Sequence, residues 1–558
     1  MKLRIRPALA LLLVIVAVGI SNYYFLIRDV ITPIYDASIC FLNSRHYYDN
    51  LIPQLCPERF FYSLFHNINF YPPLYMLVPL PFYILAEASA DVMAMVNLLY
   101  LAILIYAVHK ISDLVYGKPA GALSVIPLLF FPSVLGFTRL THSTIAVTAV
   151  LSLSVYMLIK SDNFNQKRTS VLAGLLTGVG LLFNSEFWVY LTGPYFICLA
   201  QALPRYRQKG FLKEILINSL LFFVPVMLIT GPYYYAASRF CLLDISNFKS
   251  YAPIWAIQHF DLNAFFHRVF EFLQVMRKQV LTCNLMLFIV SIIALKKQIF
   301  QPGNKIIFFG WFLITWLLIS AWPAVESRFI VPILPSVAVL ISGLAVKIFN
   351  SVKKRFPEKI AGLALVCACV YGGLNLSCFF KEHPYPKNSA ELCSSRWAFG
   401  MLHIFSQSNP GQELVSYLHR HQNTDSQFKI IVVFANDADP APLVLELIYG
   451  ALFNSKLNIE IQSAMRLAVS AWHSGLSGAE KEKLIQTFFK QANYILYINN
   501  SIYQDTASRP EYKHSDNQLL QIMLVQEKDK KLVWEYQDKN KFFTETIHLF
   551  QKPGLDEL

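Results

Sequence analysis

Long apolar runs alternate with short polar ones along most of this chain. Runs of spanning or near-spanning length lie at about 7–27, 92–109, 119–136, 143–160, 170–187, 188–203, 212–231, 281–296, 306–322, 329–347 and 361–379. Each predicts a helix. Together they predict a multi-spanning α-helical membrane protein with about eleven transmembrane helices. The run 71–86 is equally apolar but contains Pro72, Pro73, Pro79 and Pro81. Proline removes helical hydrogen bonds that lipid cannot replace, so this run is expected to lie along the surface or dip in, not to span. In the long segment 232–280, Leu262, Phe265, Phe266, Val269, Phe270, Leu273 and Met276 recur at helical spacing. That pattern suits an interfacial helix on the outer leaflet and a buried packing helix equally well.

Past residue 380 the pattern becomes that of a soluble protein. Phe428–Ala435, Leu457–Ile461 and Tyr494–Ile498 read as strands, Ala441–Phe453 and Gly478–Gln491 as helices, and 531–551 as a closing hairpin. The order predicts a C-terminal α/β domain with a mainly parallel core. The expected division is therefore a membrane domain at 1–380, with a first external loop and juxtamembrane helices at 28–91, and an extracytoplasmic domain at 381–558. The C-terminal part has no glycine-rich phosphate loop. Asn436-Asp437-Ala438-Asp439 follows a strand end, where α/β ligands bind, but reads first as an acidic turn.

Composition agrees with a membrane protein: of 558 residues, 55% are hydrophobic and only 15% charged. The net charge of +13 raises the question of nucleic acid. The excess lies in short loops between apolar runs, where basic residues set membrane orientation instead. With the N-terminus cytoplasmic, Lys110 and Lys118, Lys160 to Arg168, Arg205 to Lys213, Lys296 to Lys305 and Lys347 to Lys359 all fall inside. Inner loops then hold about twenty basic residues against about four acids, and outer loops roughly balance. Counting 71–86 as a span would invert the later loops and destroy this asymmetry. Lys2, Arg4 and Arg6 precede the first run as in a signal peptide, but the run is long enough to read as an uncleaved anchor. The nine cysteines show no metal-binding spacing, although Cys40 and Cys56 share one loop and would pair there if oxidised and suitably placed.

Polar residues gather at the outer mouths of the spans: Asp36 in the first loop, Arg139, Thr141 and His142 in the second, Asn184, Ser185 and Glu186 in the third, and Glu326, Ser327 and Arg328 before 329–347. Ionisable groups at such depth are costly to desolvate and so are candidates for function. Any one of them alone reads as an interfacial anchor. Four groups on one side favour a shared cavity.

This pattern resembles the class C membrane glycosyltransferases, in particular the group of protein O-mannosyltransferases and lipid A aminoarabinose transferases. The resemblance covers about 1–380. It rests on Asp36 after the first helix, Tyr71-Pro72-Pro73-Leu74, the Thr138-Arg139 to Lys160 segment, Ala173 to Leu182, Gly193-Pro194, and Ser327-Arg328-Phe329-Ile330-Val331-Pro332. It implies transfer of a sugar from a polyprenyl-phosphate donor to an extracytoplasmic glycan, lipid or protein acceptor. Asp36 is then the catalytic base, Arg328 and Arg139 bind the donor phosphate, and His142, Glu186, Glu326 and Tyr71 line the substrate. One base suffices for an inverting single displacement, because phosphate is already a good leaving group. The chain departs from the family in having Ala37 after Asp36, His142-Ser143 in the second loop and Ser185-Glu186 in the third, where relatives often carry an acid, an acid and a lysine. These departures leave acceptor class and any divalent metal open; no cofactor is predicted. The expected location is a bacterial inner membrane. A lipid-sugar flippase and an inactive membrane scaffold are the alternatives; transporters tend to show internal repeats and polar breaks at mid-membrane, neither of which is evident here.

Overall fold

A computed structural model describes residues 7–28, 36–51, 72–86, 88–203, 211–241, 261–322, 327–355, 360–385, Arg420 and five strands between 428 and 551. By contact the chain divides into two units. One comprises Met1–Asp29 with Ile39–Ile404, the other Val30–Ser38 with Phe405–Leu558.

The first unit is helical. Its elements are α1 Pro7–Arg28, α2 Asp36–Leu51, the short α3 Leu74–Leu77 and α4 Leu80–Leu85, and α5 Ala90–Tyr116. Then follow α6 Ala120–Phe130, α7 Pro132–Thr138, α8 Thr144–Lys160, α9 Lys167–Phe183, α10 Phe187–Ala202 and α11 Phe211–Cys241. The last group is α12 Leu262–Val280, α13 Thr282–Ala294, α14 Pro302–Lys305 running through a π-helical stretch Ile306–Ile314 into α15 Thr315–Ser320, a 3-10 turn Ser327–Ile333, α16 Leu334–Arg355 and α17 Ile360–Glu382.

Local chemistry sets several of these boundaries. Ser89 caps α5 by accepting the Val92 N–H at 3.3 Å, and Asp261 caps α12 by accepting the Asn263 N–H at 2.8 Å. The proline-rich run 71–86 forms two short helices with Pro73 and Pro79 as N-caps, in keeping with a segment that does not span. The helix expected to stop at 231 runs on through Pro232 to Cys241. There Tyr234 donates to the Leu181 carbonyl at 3.0 Å and Tyr233 is buried, so packing against α9 sustains the helix beyond the proline.

Among the described residues four helices are long and apolar enough to cross a membrane: Ala90–Tyr116, Ile215–Tyr235, Pro302–Ser320 and Ser327–Lys353. Two bent pairs, α6–α7 at 74° and α12–α13 at 111°, raise the number to 6. Backbones approach closely where α10 crosses the π-helical stretch. A Cβ on Gly193 would come within 2.1 Å of the Gly310 carbonyl oxygen, so this crossing admits only glycine. Thr315 Oγ1 donates across the same crossing to the Tyr190 carbonyl at 3.2 Å.

In the second unit five strands form one sheet: β1 Phe428–Phe434, β2 Ile459–Ser463, β3 Tyr494–Asn500, β4 Lys531–Gln537 and β5 Glu545–Gln551, in the order β2-β1-β3-β5-β4. β1 pairs parallel with β2 and β3, while β5 pairs antiparallel with β3 and β4. Residues 441–453 and 478–491, expected as helices, and the Asn436–Asp439 turn lie outside the described residues.

Candidate active site

The site is built at the end of the helical unit where α5 begins, and buried amides hold it together. Asn97, on the first turns of α5, is fully buried. Its Nδ2 donates to the carbonyls of Leu140 at 2.7 Å and Phe137 at 3.4 Å, and its Oδ1 accepts the Tyr75 hydroxyl at 3.2 Å. One side chain thus joins α5, the short helix α3 and the chain around 137–140. Ser44 of α2 donates to the Met76 carbonyl at 2.6 Å, which fastens α2 to α3. Tyr100, one turn along from Asn97, packs edge-on against Phe183 at the end of α9, beside the Asn184–Glu186 turn. Asn184 Oδ1 accepts the Glu186 N–H at 2.8 Å, and Glu186 is half-buried at the start of α10.

His142 and Arg328, 186 residues apart in sequence, meet at 2.9 Å between Nε2 and Nη1. Arginine has no acceptor atom, so Nε2 must supply the lone pair. On its other side the ring is held by Thr144, whose Oγ1 lies 2.6 Å and whose backbone N–H lies 3.2 Å from Nδ1. The contact leaves the guanidinium charge intact while fixing its direction. Arg328 sits on the 3-10 turn Ser327–Ile333, which Trp311 pins from below by donating to the Pro332 carbonyl at 2.9 Å. α12 frames the same segment. Arg268 Nε donates to the Ser320 carbonyl at 2.9 Å, and the buried Gln279 amide donates to the Ser327 carbonyl.

Arg139 shares the 139–143 loop with His142 but turns toward α1. Its Nε donates to Asn22 Oδ1 at 2.9 Å and its Nη2 to Ser21 Oγ at 3.1 Å, with the guanidinium 4.6 Å from the centre of the Phe25 ring. Asn22 in turn donates to Thr138 Oγ1 at 2.9 Å. Burial lowers the Arg139 pKa to about 10, so it stays protonated at neutral pH. Asp36 is the first residue of α2 and belongs by contact to the second unit. Tyr71 and Glu326 lie outside the described residues, as does Cys56; Cys40 is buried in α2. Among the described residues no group of three or more His, Cys, Asp or Glu is placed to hold a metal.

Sequence reasoning singled out the ionisable groups but missed Asn97, Gln279, Asn22 and Thr144, which position them. A lone amide inside an apolar run was the available signal.

α12 has two faces. Leu262, Phe266, Phe270 and Leu273 are exposed along one stripe, while Phe272, Met276, Gln279 and Val280 are buried on the other. It meets α13 at Leu281, which has a φ of 69°.

Neither a protein-family model nor a curated protein sequence matches the chain. Solved structures do. ArnT from Cupriavidus metallidurans in the apo state superposes with a TM-score of 0.58 at 13% identity, covering 97% of this chain and 98% of ArnT. The same protein bound to undecaprenyl phosphate gives 0.54 at 13% identity, over 96% and 97%. The fold is that of class C glycosyltransferases. An Archaeoglobus fulgidus oligosaccharyltransferase tethered to an acceptor peptide is similar at 0.52 and 10% identity, over 88% of this chain and 68% of its own length. The fold resemblance expected from Asp36, the Tyr71-Pro72-Pro73 run and the Ser327–Pro335 segment is thus borne out by structures with little sequence in common with this chain.

Proposed function

We propose that this chain is a membrane glycosyltransferase that moves a sugar from a polyprenyl-phosphate donor to an extracytoplasmic acceptor. The observation that carries the reading is Arg328, in contact with His142 at the end of a class C fold. One similar structure was solved with undecaprenyl phosphate, the kind of lipid such a cation suits. The full architecture follows from the same reading: about eleven spans across 1–380, an inward N-terminus, and a C-terminal α/β domain at 381–558 displayed outside. α12 lies along the outer surface with its exposed apolar stripe toward lipid.

In the reaction, the acceptor hydroxyl attacks the anomeric carbon of the sugar. Asp36 takes its proton, and the bond from the anomeric carbon to the phosphate oxygen breaks. The electron pair leaves with the lipid phosphate, whose growing charge falls on the Arg328 guanidinium. Attack opposite the leaving group inverts the anomeric centre. Arg139 is the second cation at the same end of the helical unit, and Glu186, Glu326 and Tyr71 contribute to substrate binding.

The test is to incubate purified protein with a panel of polyprenyl-phosphate sugars and candidate acceptors, alongside Asp36→Asn. Transfer is expected from wild type, and the variant should lose about two to four orders of magnitude in turnover at equal expression. No transfer above the variant with any donor would sink the enzyme reading. Near-normal turnover in the variant would retain the enzyme but remove Asp36 as its base.

A further inference from the structure

The opposite end of the helical unit, where α5 finishes, holds a second site. A cavity of about 320 Å³ opens there between the end of α5, the turn 295–301 and the last turns of α16. That volume is in the range of small-ligand pockets. Its polar lining is Tyr116, Gln298, Gln301, Lys347, Asn350 and Ser351. Each can donate a hydrogen bond, and among the described residues no carboxylate lines the cavity.

Tyr116 shows how the cavity is kept open. A Cβ on Gly343 would stand 2.5 Å from its Cζ, so glycine there lets the ring seat against α16 with its hydroxyl beside the cavity. That hydroxyl is buried and has no partner among the described residues. Leaving a buried hydroxyl unpaired is costly, so its retention calls for a guest that accepts from it. The neighbouring turn repeats the signal. Asn304 on α14 is buried with both amide atoms unpaired among the described residues, and its neighbour Gly303 packs against Val115, another lining residue. Lys347 Nζ donates to the Ala294 carbonyl at 2.7 Å, which closes α13 and fixes the ammonium at the rim. Lys296 and Lys297 lie on the same turn as Gln298, so the surrounding field is positive.

We propose that this cavity binds the phosphodiester of an anionic phospholipid headgroup. A cluster of neutral donors around one ammonium matches a singly charged phosphate with several acceptor oxygens. The position at the end of the spans, among the basic loops, places it at headgroup depth. A free phosphate has the same acceptor chemistry but none of the acyl chains that would lie along the apolar flanks of α5 and α16.

The test is native mass spectrometry of the full-length protein in detergent, titrated separately with phosphatidylglycerol, phosphatidylcholine and inorganic phosphate. Phosphatidylglycerol is expected to bind about tenfold more tightly than phosphatidylcholine. Ser351→Asp, an exposed substitution that leaves the core intact, should abolish that preference by adding a like charge. Tyr116→Phe should weaken it severalfold, and Arg328→Lys at the other end should leave it unchanged. Equal binding of the two lipids, or a preference insensitive to both Ser351→Asp and Tyr116→Phe, would overturn the proposal. Saturable inorganic phosphate binding without lipid preference would also overturn it, leaving a free-anion site.

Discussion

Arg328 Nη1 meets the imidazole of His142 at 2.9 Å. The geometry makes a sharp prediction for Arg328→Lys. Lysine keeps the charge and reaches headgroup depth but has no planar pair of donors. The variant should fold normally and lose at least about tenfold in kcat/KM toward the lipid donor, equivalent to about 1.4 kcal/mol of transition-state stabilisation. Steady-state kinetics at fixed acceptor reads this directly. Full activity would make Arg328 an anchor and move the phosphate role to Arg139. At this scale the sequence was half legible. Charges at span mouths marked Arg328, Arg139, His142 and Glu186, because an apolar context makes each one conspicuous. The contact of His142 with Arg328 was not legible, since it depends on how loop 139–143 is seated by Asn97. The direction of Arg139 toward Ser21 and Asn22 was likewise invisible, because a guanidinium beside a membrane has many neutral acceptors in reach.

At the scale of elements, the turn from α12 into α13 is closed by the end of α17. Glu382 accepts the Thr282 N–H at 2.9 Å and so serves as a borrowed cap for α13, where a negative charge also suits the helix dipole. His383 Nε2 lies 2.8 Å from the Lys278 carbonyl, which requires a proton on that nitrogen. Burial lowers the pKa of His383 below its ordinary 6.5. The unfolded chain therefore binds the proton more readily. The stabilising contribution of neutral His383 is complete above about pH 6.5 and is lost as pH falls through the folded value. Thermal unfolding in detergent should show a midpoint that drops on acidification below about pH 6.5, and His383→Asn should flatten that dependence while still donating to the carbonyl. An unchanged slope in the variant would remove His383 as the titrating group. Most helices were legible as apolar runs, and the prolines of 71–86 marked the break into two short helices. The continuation of α11 past Pro232 was not, because packing against α9 outweighs the local signal to stop.

For the whole molecule, basic loops predict the orientation and the fold similarity does not depend on them. Cysteines introduced at Ser351 and Ser515 should react with impermeant thiol reagents from opposite sides of the membrane. Reaction from one side would mean a miscounted span, most directly at 71–86. The bend at Leu281 has a mechanical consequence for the assembled protein. On the proposed orientation α12 rests its exposed apolar stripe at the outer surface, and α13, leaving it at 111°, enters the bilayer. Because Gln279 holds the Ser327 carbonyl beside Arg328, the depth of α12 is tied to the depth of the cation. A membrane of different thickness cannot be met by tilting α13 alone without lifting α12 from its level. Turnover in vesicles graded from short to long acyl chains should therefore pass through a maximum, with bilayer thickness acting as a ruler for the distance between the donor's phosphate and the arginine proposed to receive it.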